Sequence, residues 1–193
     1  MAKHNAKTCL SEQQRLEMFG WILADSVYDL SIPAEVFRGY CAHSSENPPN
    51  KMLEGVVRMC RQSTVIGICK LYDAFRSYGD LLQNSPEELR ERISKFLKHV
   101  EQKNYKFLRS KFIAHNFDAY EKYTYQDGQD AAESIFGSSV GELLEYLAWV
   151  KPANGSGYEG RYFPAFIASD AKEYVRGLVD LKPRVSMRNA EKD

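Results

Sequence analysis

Apolar residues recur along this chain at steps of three and four, the spacing that gathers side chains on one face of an α-helix. Leu16, Phe19, Leu23, Val27 and Leu30 form the first such series. Ser11 and Gln14 open it in the positions of a capping box, and Pro33 interrupts it. Residues 34–43 read as a short second helix, with the loop SSENPP after it. Asn50 stands where it caps a long helix to about Ser77, with a predicted buried stripe of Leu53, Val57, Cys60, Thr64, Ile68, Leu71 and Phe75. Ser85, Pro86 at the first helical position and Glu88 mark the next start, followed by Leu89, Ile93, Phe96, Leu97 and Val100. Leu108, Phe112, Ile113 and Phe117 carry a further helix, and the pattern leaves open whether the chain breaks near Lys103 and Asn104. Residues 127–150 read as one helix with Gly137 or Gly141 as the place for a kink, 151–169 as a loop, and 170–181 as a last helix capped by Asp170. No stretch alternates apolar and polar residues as a half-buried strand does. The expected fold is all-α: one domain over residues 1–193, an irregular bundle of about five to seven helices.

Composition acts mainly by exclusion. Hydrophobic residues at 44% and charged residues at 27% belong to a globular chain rather than a disordered or fibrous one. No apolar run reaches the roughly 18 residues of a membrane span, and MAKHNAKTCLSEQQ lacks an apolar signal core, so a cytoplasmic protein without a membrane partner is expected. Cys9, Cys41, Cys60 and Cys69 contain no CxxC pair, and Cys41-Ala-His43 is half a metal site without a second half. Reduced thiols are expected, and neither a metal nor a cofactor. Gly155-Ser-Gly157-Tyr-Glu-Gly160 matches a dinucleotide-binding string only in its letters, because no strand pattern precedes it and no helix pattern follows. Walker and HExxH motifs are absent from the sequence.

Charge adds one asymmetry. Lys plus Arg and Asp plus Glu each number 26, so no global field draws the chain to a polyanion. Residues 90–111 nevertheless carry a net +6 and residues 117–150 a net −6. Two solvated faces that neutralise each other are the plain reading, and a local anion-binding surface is the sharper one.

An Arg followed after four to six residues by a His occurs three times, as Arg38/His43, Arg92/His99 and Arg109/His115. The first flanks Gly39 at a helix end. The second shares a face with Lys95, opposite Ile93, Phe96 and Val100, as solvated residues do. The third is embedded in Arg109-Ser-Lys-Phe-Ile-Ala-His115. Such a pair can supply a general base and a cation that stabilises developing negative charge. Histidine titrates near pH 6.5 (about its unperturbed value), and arginine grips phosphate with a planar fork. Six residues apart on an ideal helix the two side chains point roughly 120° apart, so one helix makes a loose site. The plain alternative is a surface arginine plus a half-buried histidine bonded to a backbone carbonyl.

Together with TVIGICKLYDAFRSYGDLLQ at residues 64–83, this string resembles the HEPN superfamily, in its abortive-infection AbiU-like branch, over about residues 50–120. Leu71-Tyr72-Asp73 matches that branch's Leu-aromatic-Asp helix end, and residues 109–115 its Arg-Asn/Asp-Lys-apolar-apolar-Ala-His. The resemblance implies a metal-independent endoribonuclease, a toxin or phage-defence effector that cuts single-stranded RNA by 2′-hydroxyl attack. Arg109 would hold the scissile phosphate and His115 would be the general base. Ser110 and Asn116 would orient them, while Lys106 and Lys111 would hold flanking phosphates. A homodimer with two Arg-His pairs in one cleft is implied, as is a cognate antitoxin or nucleotidyltransferase. Like charges across the two-fold axis would need an apolar patch to offset them, and Phe107, Phe112 and Phe117 are the candidates for part of it. Ser110 stands where active members commonly carry Asn, Asp or His, and Phe117 where members controlled by tyrosine adenylylation carry Tyr, so that control is not implied. From a different class comes the reading of a non-catalytic helical module that binds nucleic acid or a partner protein.

Overall fold

Capping side chains, prolines and apolar stripes together decide where the helices fall. The computed structural model describes residues 10–43, 50–113, 123–154 and 162–181, without the side chains of Asn50 and Phe112. Among these residues there are seven α-helices and no strand: α1 (Glu12–His43), α2 (Asn50–Tyr78), α3 (Glu87–Gln102), α4 (Tyr105–Leu108), α5 (Tyr125–Phe136), α6 (Val140–Val150) and α7 (Pro164–Leu178). A 3-10 turn, Gly79–Leu82, follows α2, and a π-helical turn, Arg109–Ile113, continues α4. The fold is all-α, an irregular bundle as the periodicity predicts.

The helix α1 begins at the expected capping box, where the Ser11 backbone N–H donates to Gln14 Oε1 at 2.9 Å and that of Gln14 to Ser11 Oγ at 3.2 Å. It then runs through Pro33 to His43, where the sequence points to an interruption and a separate short helix. An internal proline removes a backbone hydrogen bond and costs on the order of 3 kcal/mol. Pro33 is buried in line with Leu30, Ala34 and Phe37, and α1 lies along α2 and α7. Burying each large side chain of that face is worth about 1.5–3 kcal/mol, which offsets the loss. On α2, Cys60, Ile68, Leu71 and Phe75 enter the core as expected, and buried Thr64 donates its hydroxyl to the Cys60 carbonyl at 2.7 Å. Edge-to-face rings join three helices, with Phe75 at 6.3 Å from Phe19 of α1 and 6.0 Å from Phe96 of α3.

Several boundaries differ from expectation. Ser85 does not cap α3: it is buried, its hydroxyl donates to the Leu82 carbonyl at 2.7 Å, and the Pro86 carbonyl receives the N–H groups of Leu89 and Arg90. The chain does break at Lys103, whose backbone is extended (φ −113°, ψ 161°). The expected helix over 127–150 is two helices, parted by Gly137 at φ +76°. Thr124 with Asp127 and Ser139 with Glu142 form full capping boxes that start α5 and α6. The last helix begins at Pro164 rather than Asp170, which shortens the predicted 151–169 loop, and Asp170 instead lies 2.7 Å from Arg92. Arg38 is not at a fraying end: it donates to the Lys151 carbonyl at 2.8 Å and ties α1 to the segment after α6. Cys41, Cys60 and Cys69 are free, while Cys9 and the Gly155–Gly160 string lie outside the described residues. No helix among the described residues is long and apolar enough to cross a membrane.

Candidate functional site

The segment that carries the third Arg-His string is anchored by a buried phenol. Tyr105, at the start of α4, is fully buried, with its hydroxyl oxygen 2.9 Å from that of Tyr146 on α6 and 3.3 Å from His99 Nε2 on α3. The His99 ring packs 4.5 Å from Trp149. Burial lowers the His99 pKa, and the nearby charge of Lys103 adds to the effect. The solvated face expected for Arg92 and His99 is therefore not observed. Arg92 is paired with Asp170 and only 13% exposed, because α7 covers that side of α3 and α6 covers His99.

From this anchor the backbone widens into the π turn, a form found frequently at functional sites. Arg109 opens the turn, and its Nη1 donates to Asp73 Oδ2 at 2.7 Å, across 36 positions of sequence. That bond raises the pKa of the guanidinium, so Arg109 is a permanent cation beside a carboxylate. Both side chains stay partly exposed, at 37% and 50%, so the pair is open to a ligand from solvent. Asp73 is the last residue of Leu71-Tyr72-Asp73, and Lys106 Nζ sits 4.1 Å above the Tyr72 ring in a cation–π contact. Tyr72 in turn donates to Glu101 at 2.8 Å. Lys106 and Arg109 thus reach the same end of α2.

The remaining expected residues divide. Lys111 Nζ lies 5.7 Å from the Tyr123 ring, which Phe107 meets edge-on at 4.9 Å. Ser110 donates its hydroxyl to the Phe107 carbonyl at 3.3 Å, a bond within its own helix. His115, Asn116 and Phe117 lie outside the described residues. The basic stretch 90–111 does not form one face: Arg92 turns to Asp170, Arg109 to Asp73, and Lys103 donates to the Ser134 carbonyl of α5 at 3.2 Å. Among the described residues no group of three or more His, Cys, Asp and Glu side chains is placed to hold a metal.

Two features of the site leave no mark in the sequence. Asp73 belongs to a stretch that bears the resemblance, but its pairing with Arg109 has no spacing signal. A groove of about 810 Å³ between α2 and α5 is lined by Leu108, the last residue of α4, by Ile113, the last of the π turn, and by Arg58 and Arg61. Those two arginines, three positions apart on α2, look in sequence like any solvated helix face.

No family model matches the chain, and no curated protein matches it either. Among solved structures it is similar to Vpc_cass2, an integron cassette protein from the mobile metagenome of V. paracholerae. The TM-score is 0.70 at 19% identity, over 86% of this chain and 99% of that one. Identity at that level carries the fold alone, so the class defined here is an all-α bundle shared with that cassette protein.

Proposed function

We propose that the chain is a metal-independent endoribonuclease of HEPN type that acts on single-stranded RNA. The observation that carries this reading is the ion pair between Arg109 and Asp73. The two stretches that bear the resemblance, residues 64–83 and 109–115, are far apart in sequence, and their diagnostic Asp and Arg meet in the fold at 2.7 Å. In the proposed reaction His115 takes the proton from a 2′-hydroxyl as that oxygen attacks the adjacent phosphorus. The bond from phosphorus to the 5′-oxygen breaks, the leaving oxygen takes a proton from the imidazolium, and a 2′,3′-cyclic phosphate and a 5′-hydroxyl remain. Arg109 stabilises the charge on the non-bridging oxygens as it develops. Lys106, over the ring of Tyr72 next to Asp73, holds a flanking phosphate in this reading.

The test is cleavage of a labelled single-stranded RNA in EDTA, with the ends identified by mass spectrometry. Wild type is expected to leave 2′,3′-cyclic phosphates, and Arg109→Ala and His115→Ala each to lose at least about a hundredfold in rate. Equal cleavage by wild type and His115→Ala overturns the assignment.

A second reading, a non-catalytic module that binds nucleic acid or a partner protein, draws on Ser110. Its hydroxyl is engaged with the Phe107 carbonyl. Binding of RNA without any cleavage, at equal affinity in wild type and His115→Ala, would select it.

A further inference from the structure

We propose that the groove between α2 and α5 is the track for the phosphodiester backbone of a single-stranded RNA whose scissile phosphate sits at Arg109. This assignment rests on the ribonuclease reading and extends it from one phosphate to a strand. The groove starts at the π turn itself, since Leu108 and Ile113 line it and flank Arg109 in sequence. Along its α2 wall stand Lys51, Arg58 and Arg61, opposed by Glu54, which leaves two positive charges in excess. On an α-helix these cations are spaced by roughly 10 Å and 5 Å, so they form a row and not a single cluster. A row of cations fits a chain of phosphates better than one compact anion.

Arg61 points most directly to an anion. It is half-buried, with its guanidinium 5.5 Å from the Phe136 ring centroid and Nη2 donating to the Gly137 carbonyl at 3.2 Å. Its Nε is buried and meets no acceptor among the described residues. Burial lowers the pKa of this guanidinium, and the charge of Glu133 opposes the shift. A buried donor left without a partner costs on the order of 1–3 kcal/mol. A phosphate oxygen against the guanidinium supplies an acceptor, in the fork geometry that arginine prefers. On the opposite wall Tyr125 is 66% exposed, which gives a base a ring to stack on without regard to sequence. From Arg61 to Asp73 is 12 residues along α2, about 18 Å, a span that a few nucleotides bridge.

The probe is a 5′-fluorescent single-stranded oligonucleotide, 2′-O-methylated throughout so that it cannot be cut, titrated against the full chain by anisotropy over a range of salt. Lys51→Glu with Arg58→Glu is expected to weaken binding at least tenfold and to flatten the salt slope by about 1.4, the contribution of two phosphate contacts on a single strand. Gly55→Trp is the variant without a charge change. A Cβ at Gly55 meets nothing within 4 Å, so the helix accepts the side chain while the indole fills the groove. The same loss of affinity is expected there, with an unaltered circular dichroism melt. Unchanged affinity in both variants overturns the groove assignment, as does a wild type that does not bind the probe. The two readings fail separately: groove-dependent binding with no RNA cleavage removes the ribonuclease and leaves the groove, whereas cleavage with groove-independent binding does the reverse.

Discussion

Arg109 is held by one short bond to a carboxylate, and that bond is cheap to break because both partners are partly in water. Exposed ion pairs contribute about 0–1 kcal/mol, and in a domain of this size that amounts to no more than about 3 °C in melting temperature. Asp73→Asn is therefore expected to melt within about 3 °C of wild type. On the proposed reaction its effects split: the 2′-O-methyl oligonucleotide binds several-fold tighter because a negative charge beside the phosphate is gone, and kcat falls because the guanidinium loses its fixed direction. Parallel changes in binding and kcat would reduce Asp73 to an ordinary surface partner. A different residue governs the pH response. His99 has a lowered pKa because α3, α4 and α6 bury it, so the folded chain resists its protonation more than the unfolded chain does. Its neutral form leaves stability intact above the unfolded value of about 6.5, and stability declines as pH falls below that value toward the folded pKa. The charge that acts on His99 is that of Lys103, and the groups packed on its ring, the Tyr105 phenol and the Trp149 indole, are neutral at these pH values. Thermal melts at pH 7.5 and 5.5 are expected to show a drop for wild type and a smaller one for His99→Phe. An equal drop in both would place the acid sensitivity elsewhere.

At the scale of the elements, the α5–α6 corner depends on Gly137. Its dihedrals, φ +76° and ψ 177°, belong to a region that only glycine adopts readily, and a Cβ there would lie 2.4 Å from the Cβ of Glu142. Gly137→Ala is expected to cost more than about 1–3 kcal/mol, the strain of such a backbone before the clash is counted. Gly39, inside α1 with nothing within 4 Å of where a methyl group would stand, should do the opposite: Gly39→Ala gains up to about 1 kcal/mol of helix propensity. Differential scanning calorimetry of the two variants reads both signs. The same corner explains why some of the bundle is legible in the sequence and some is not. Ser11 with Gln14 and the α2 stripe are readable because their causes are local. Thr124-x-x-Asp127 and Ser139-x-x-Glu142 are equally local, but apolar periodicity runs across Gly137 and hides the break. Pro33 and Asp170 mislead for the opposite reason, since burial in the packed face of α1 keeps the first in a helix and an arginine 78 positions upstream engages the second. In the candidate site, Arg109 stands out by pattern, whereas its bond to Asp73 and the role of Arg61 arise only when α2, α4 and α5 come together.

At the scale of the whole molecule, the fold alters the argument about self-association. A formal +6 on residues 90–111 would repel its twin across a two-fold axis, but Arg92 and Arg109 are each paired with an Asp of another helix. The field that two copies must overcome is smaller than the sequence suggests, and at about 0.15 M salt it decays within about 8 Å. On the proposed reading the working unit is a symmetric homodimer in which the arginine of one copy meets the histidine of the other, since six positions apart on an ideal helix the two side chains of one chain would diverge. Sedimentation equilibrium at micromolar concentration is expected to give twice 22.1 kDa. Complementation tests the shared site directly. Arg109→Ala and His115→Ala are each inactive alone, but mixed after brief denaturation and refolding they form heterodimers that hold one intact arginine and one intact histidine on opposite chains. With random pairing half the dimers are mixed and each regains one site of two, so about a quarter of wild-type activity should return. If each site instead used an arginine and a histidine from the same chain, the mixture would stay inactive, and a chain that cuts RNA as a monomer would remove the composite site altogether.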